Sequence, residues 1–65
     1  MNRRDEIDAE VRRQAIRLYP YCTALFELPL MVYMQIMKDN TTRRNPYRIS
    51  ENHIKSIIGT MPEFQ

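Results

Sequence analysis

Ile7, Val11, Ala15 and Leu18 recur at intervals of four, four and three, the repeat of one face of an α-helix. Asp5, Glu6 and Asp8 crowd the early turns of that segment and Arg12, Arg13 and Arg17 the later ones. This order complements the helix dipole, at a few tenths to ~1 kcal/mol per charge. Asp8 also precedes Arg12 by four residues, the favoured sense for a helical ion pair. Asn2 and Asp5 are both N-cap candidates. Pro20 disfavours helical dihedrals at Tyr19, so the first helix is expected to end near Leu18.

The stretch from Tyr21 to Lys38 is apolar and interrupted by Pro29, which removes a donor and crowds the carbonyl of Leu25. The pattern predicts a helix from about Tyr21 to Lys38, bent or broken around Leu28 and Pro29, a fresh helix starting at Pro29 being one way to break it. Beyond Lys38 the periodicity stops. Asp39 to Ile49 holds Arg43, Arg44 and Arg48 and an Asn-Pro turn signal, and reads as a basic loop. Ser50 is then a good N-cap, and Ile54, Ile57 and Ile58 give a short third helix from Glu51 to Ile58, with Gly59 just past its end. Residues 60–65 carry Pro62 and no periodic pattern, and are expected to be loose.

These elements predict an all-α fold in a single domain spanning residues 1–65: a small three-helix bundle, its second helix kinked or broken near Pro29, with a long irregular connection before a short third helix. One glycine among 65 residues disfavours a turn-rich β fold and any glycine-lined phosphate loop. A chain of this size buries only ~60% of the surface it exposes when unfolded, too little for a large catalytic core. A single cysteine, Cys22, forms no internal disulfide.

Charge adds little. Ten basic and eight acidic residues leave a formal +2 and a pI near 9.0, short of a dedicated nucleic-acid binder. The opening Met-Asn-Arg-Arg turns acidic at Asp5 with no apolar run behind it, unlike a signal peptide. With Cys22 unpaired, a cytoplasmic setting is expected. From Leu18 to Met37 the only formal charge is Glu27, a length that suits a spanning helix of about 20 residues. A charge near the middle of such a span costs ~2.5–3.5 kcal/mol, and Pro20, Pro29 and Gln35 weaken it further. No membrane segment is expected.

Catalytic parts are missing. One histidine, His53, and one cysteine lack a third orienting group, and the enzyme reading falls with them. The two are too few for a zinc tetrahedron, and Asp5, Glu6, Asp8 and Glu10 spread around a helix instead of forming a calcium loop. No metal and no cofactor are expected. His53 reads as a solvent-facing helix residue and Cys22 as a small buried hydrophobe.

Two features point to binding. Met31, Met34 and Met37 lie at i, i+3 and i+6, with Leu30, Tyr33 and Ile36 beside them, and between Leu30 and Met37 only Gln35 is polar. A helix apolar nearly all round needs covering on every side, and two short amphipathic helices cover part of it. Leu30, Met31, Tyr33, Met34 and Met37 are therefore the expected self- or partner-interface; a plain core helix is the bland alternative. Arg43, Arg44 and Arg48 with Tyr47 offer guanidinium forks and a ring, the means of contacting an anionic partner, against the bland role of a solvated loop. The connection is too long for the turn of a helix-turn-helix unit. The expected function is a small non-enzymatic protein-binding regulator or inhibitor acting by surface occupation, self-associating as a homodimer or larger homo-oligomer through the second helix. Chains of this size are common among phage and mobile-element accessory proteins, an analogy of size alone. A nucleic-acid-binding regulator using Arg43, Arg44 and Arg48 is the alternative.

Overall fold

The computed structural model describes residues 2–65. Three α-helices follow one another: α1 (Arg3–Leu18), α2 (Leu28–Asn40) and α3 (Glu51–Thr60), with single 3-10 turns at Tyr19–Tyr21, Leu25–Glu27 and Pro62–Phe64. The described residues contain no strand, and each helix packs on the other two. The fold is the expected small all-α bundle.

Asn2 caps α1: its Oδ1 accepts the Asp5 N–H at 2.9 Å, which decides between the two candidate caps. The other end differs from expectation in its cause. Tyr19 keeps right-handed helical dihedrals (φ −51°, ψ −44°) and donates its N–H to the Ala15 carbonyl, although a proline follows. The ladder stops one residue later because Pro20 has no N–H for the carbonyl of Ile16, and the chain tightens into a 3-10 turn.

The helix expected from Tyr21 is not formed before Leu28. Cys22 and Ala24 are extended, and the Glu27 carboxylate accepts the N–H groups of both Thr23 and Ala24 at 3.0 Å. A side chain closing on two successive donors fixes a non-helical entry, and α2 starts afresh just beyond it. Pro29 then sits in the first turn of α2, where its absent N–H leaves no bond unmade. At the far end, Thr41 Oγ1 donates to the Lys38 carbonyl (2.7 Å) and Thr42 Oγ1 to that of Asp39 (3.2 Å), satisfying groups the helix leaves open.

Ser50 caps α3 as expected, its Oγ accepting the His53 N–H at 3.2 Å. The helix runs two residues further than predicted, through Gly59 to Thr60. Gly59 does not adopt a left-handed conformation, so it does not act as a terminator. The closing residues, for which the sequence offers no anchor, are fastened. Met61 is fully buried, the Phe64 ring lies 4.9 Å from that of Tyr19, and Gln65 Nε2 donates to the Gly59 carbonyl at 2.7 Å.

The core draws Val11 and Ala15 from α1, Leu28, Val32 and Ile36 from α2, and Ile54, Ile57 and Ile58 from α3, with Met61 closing it. Ile7, Leu18 and Cys22 pack against this cluster half-buried, and Ile16 faces outward. No helix among the described residues is long and apolar enough to cross a membrane.

Candidate protein-interaction face

The inward stripe of α2 is Leu28, Val32 and Ile36, at i, i+4 and i+8, all fully buried. A helix with that stripe inward must turn Leu30 and Met34 outward, since they fall on the opposite side of the cylinder. Leu30 is 47% exposed and Met34 62%. Phe26, four residues before Leu30, is 83% exposed. Together they make an apolar ridge at four-residue intervals on the outside of the bundle.

Of the five residues the sequence nominated, Leu30 and Met34 thus form the crest. Met31, Tyr33 and Met37 are half-buried, and Tyr33 and Met37 pack against the core. The ridge therefore follows the i, i+4 row through Leu30 and not the i, i+3 row of methionines. Phe26 escaped the sequence reading, as did Tyr21 at 78% exposed. A helix continued back through residues 21–28 keeps Phe26 on the row of Leu30 but turns Tyr21 toward the core, whereas the extended Cys22 and Ala24 break that continuity and leave the Tyr21 ring outside. Gln35, the polar residue of the segment, donates from Nε2 to Asp39 Oδ1 at 3.0 Å.

The basic loop divides in two. Arg43 turns inward and donates to Glu10 Oε2 at 3.1 Å, and its guanidinium carbon lies 4.4 Å from the centre of the Tyr47 ring. Arg3 lies against the same ring at 4.3 Å and donates to the carbonyls of Asn45 and Pro46. Tyr47 is further tied through its backbone: Asn40 Oδ1 accepts its N–H at 3.0 Å, and Asn40 Nδ2 donates to its carbonyl at 2.8 Å. Arg44 and Arg48 are exposed, with no ion pair or side-chain hydrogen bond among the described residues. The four residues nominated for an anionic partner therefore do not form one free group.

Glu10 is the centre of this clasp and is only 7% exposed. Arg13 donates to its Oε1 at 2.6 Å and Gln14 to its Oε2 at 3.0 Å, while Gln14 accepts from Arg17. Burial works to raise the Glu10 carboxyl, but the bonds from Gln14 and Arg13 and the charges of Arg13 and Arg43 outweigh it. The group is held below the ordinary carboxylate range. The bond and charge of Glu10 in turn push the Arg13 guanidinium up. Nothing in the sequence marks Glu10, because the acid and the arginine it recruits stand 33 residues apart.

Cys22 donates from Sγ to the Tyr19 carbonyl at 3.1 Å, and His53 Nε2 lies 3.8 Å from Asp8 Oδ1. Among the described residues no pocket is detected, and no group of three or more acidic, histidine or cysteine side chains is placed to hold a metal ion. In comparison with known proteins, the chain matches no family model, and no curated protein or solved structure matches it significantly.

Proposed function

We propose that this chain is a small non-enzymatic protein-binding regulator that acts by laying the outer ridge of α2 on another protein surface. The observation that carries the reading is the exposure of Phe26, Leu30 and Met34 in a row on the outside of a core that already holds Leu28, Val32 and Ile36. A large apolar row left open to water marks an interaction surface. The loop supports the nucleic-acid alternative less well, because Arg43 and Tyr47 are engaged within the fold, which leaves Arg44 and Arg48 as the loop arginines without a partner among the described residues.

The test is a comparison of two double variants with the unaltered chain in affinity capture from nuclease-treated extract. Leu30→Asp/Met34→Asp should lose a protein that both the unaltered chain and Arg44→Ser/Arg48→Ser retain. All these positions are exposed, so circular dichroism should show the same helix content in each. Retention by the aspartate variant, or its loss from Arg44→Ser/Arg48→Ser alone, refutes the reading.

A further inference from the structure

We infer that, when the chain is alone, the outer ridge of α2 is covered by the same ridge of a second copy, the two helices crossing antiparallel about a two-fold axis beside Leu30. The inference rests on the reading above and names the occupant.

Spacing is the first argument. Leu30 and Met34 lie on an i±4 ridge of α2, which Phe26 on the 3-10 turn just before the helix extends at the same spacing, and such ridges interdigitate with their like in the commonest class of helix packing. With Leu30 on the axis, Leu30 meets its own copy and each Phe26 ring meets the partner's Met34. A ring against a thioether is a favourable pair, and the flexible methionine adapts to it. The ridge is thus complementary to itself, as a two-fold interface requires.

Charge is the second. From Leu28 to Met37, α2 carries no charged side chain, so no like charges face each other near the axis. The acid at the ridge's start, Glu27, is occupied by the N–H groups of Thr23 and Ala24. Lys38 follows Met34 by one turn and is exposed. A parallel pair would set Lys38 beside Lys38, whereas the antiparallel pair separates the two lysines and opposes the helix dipoles favourably.

Area is the third. A specific interface withdraws ~800 Å² per partner, about a sixth of the 4680 Å² this chain exposes. The three crest side chains supply on the order of 400 Å², and the half-buried Met31 and Met37 on their shoulders extend it. The crest alone is about half of that area, so the dimer is small and weakly held, and it forms at high rather than low micromolar concentration.

The experiment uses the whole chain, with Cys22→Ser removing the native thiol. A disulfide needs Cα atoms within ~7 Å, and helices packed 8–10 Å apart bring only residues beside a two-fold axis that close to their own copies. Under mild oxidation, Cys22→Ser/Leu30→Cys should dimerise about tenfold faster than Cys22→Ser/Ser56→Cys, whose thiol is exposed on α3. Light scattering on the unaltered chain at high micromolar concentration should give twice 7.9 kDa. Leu30→Asp should weaken that association by about a hundredfold without changing the circular dichroism. A mass of 7.9 kDa for the unaltered chain overturns the inference. So does a dimer in which the two thiols link at equal rates, which would place the contact on another face. Neither result touches the reading above, which falls only if protein capture survives Leu30→Asp/Met34→Asp.

Discussion

Replacing Arg43 by alanine tests whether the loop is a structural clasp. The substitution removes a charge-assisted bond to Glu10, a carboxylate with little access to water, and one of two guanidiniums against Tyr47. A hydrogen bond between charged groups contributes about 1.5–3 kcal/mol when enclosed. Arg43 retains partial solvent access, and Arg13 and Gln14 still hold Glu10, which brings the expected loss to about 1–2 kcal/mol. For a domain this small each kcal/mol lowers the melting temperature by about 4–8 °C, so Arg43→Ala should melt roughly 5–15 °C below the unaltered chain. Arg44→Ala, one residue away and exposed with no partner among the described residues, should stay within about 0.5 kcal/mol. Thermal and urea unfolding followed by circular dichroism measure both. The pH dependence adds a sign. Because folding depresses the Glu10 carboxyl, its contribution is fully present above the ordinary carboxylate value, about 4.3, and is lost as pH falls through the lower folded value. The gap between Arg43→Ala and the unaltered chain should therefore narrow in acid. Equal melting of the Arg43 and Arg44 variants at neutral pH, or a gap that widens in acid, refutes the argument.

Two further substitutions probe the ends of the fold. Met61→Ala deletes a fully buried side chain just beyond α3 and should cost about 2–5 kcal/mol, a large part of a small domain's stability, read as a loss of the cooperative melt at moderate temperature. Glu27→Ala frees the N–H groups of Thr23 and Ala24 and should speed amide exchange at those two positions, by about tenfold or more relative to the α2 interior, while the core of α2 stays protected.

The three helices were legible because their inward faces follow the helical repeat: Val11 and Ala15, then Ile54, Ile57 and Ile58, are buried as their spacing predicts. Ser50 was legible as a cap because a short polar side chain before an apolar repeat has one common use, whereas Asn2 and Asp5 were equal candidates that only the bond from the Asp5 N–H to Asn2 separates. The entry to α2 was not legible. Composition from Tyr21 to Leu28 suits a helix, and what overrides it is a bond from Glu27 back to Thr23 and Ala24 that no propensity encodes. The outer face of α2 was half legible: excess apolar surface was evident, but with apolar residues nearly all round, which row faced out depended on the packing that takes Leu28, Val32 and Ile36 into the core. Glu10 was invisible for a different reason. Its partner Arg43 comes from the far side of α2, and only the folded arrangement of α1 and the loop brings them together.

The hold of Arg3 on the carbonyls of Asn45 and Pro46 spans more than forty residues of chain and fastens the first turn of α1 to the loop before α3. Neither segment has a hydrophobic anchor as deep as the helix interiors, and each leans on the other through the Tyr47 ring. The two should consequently open together as one local unit, well below the free energy of global unfolding. A protease able to cut the loop between Thr42 and Tyr47 would then be admitted by fraying at the start of α1, and the rate of nicking would report on a turn that the enzyme never touches.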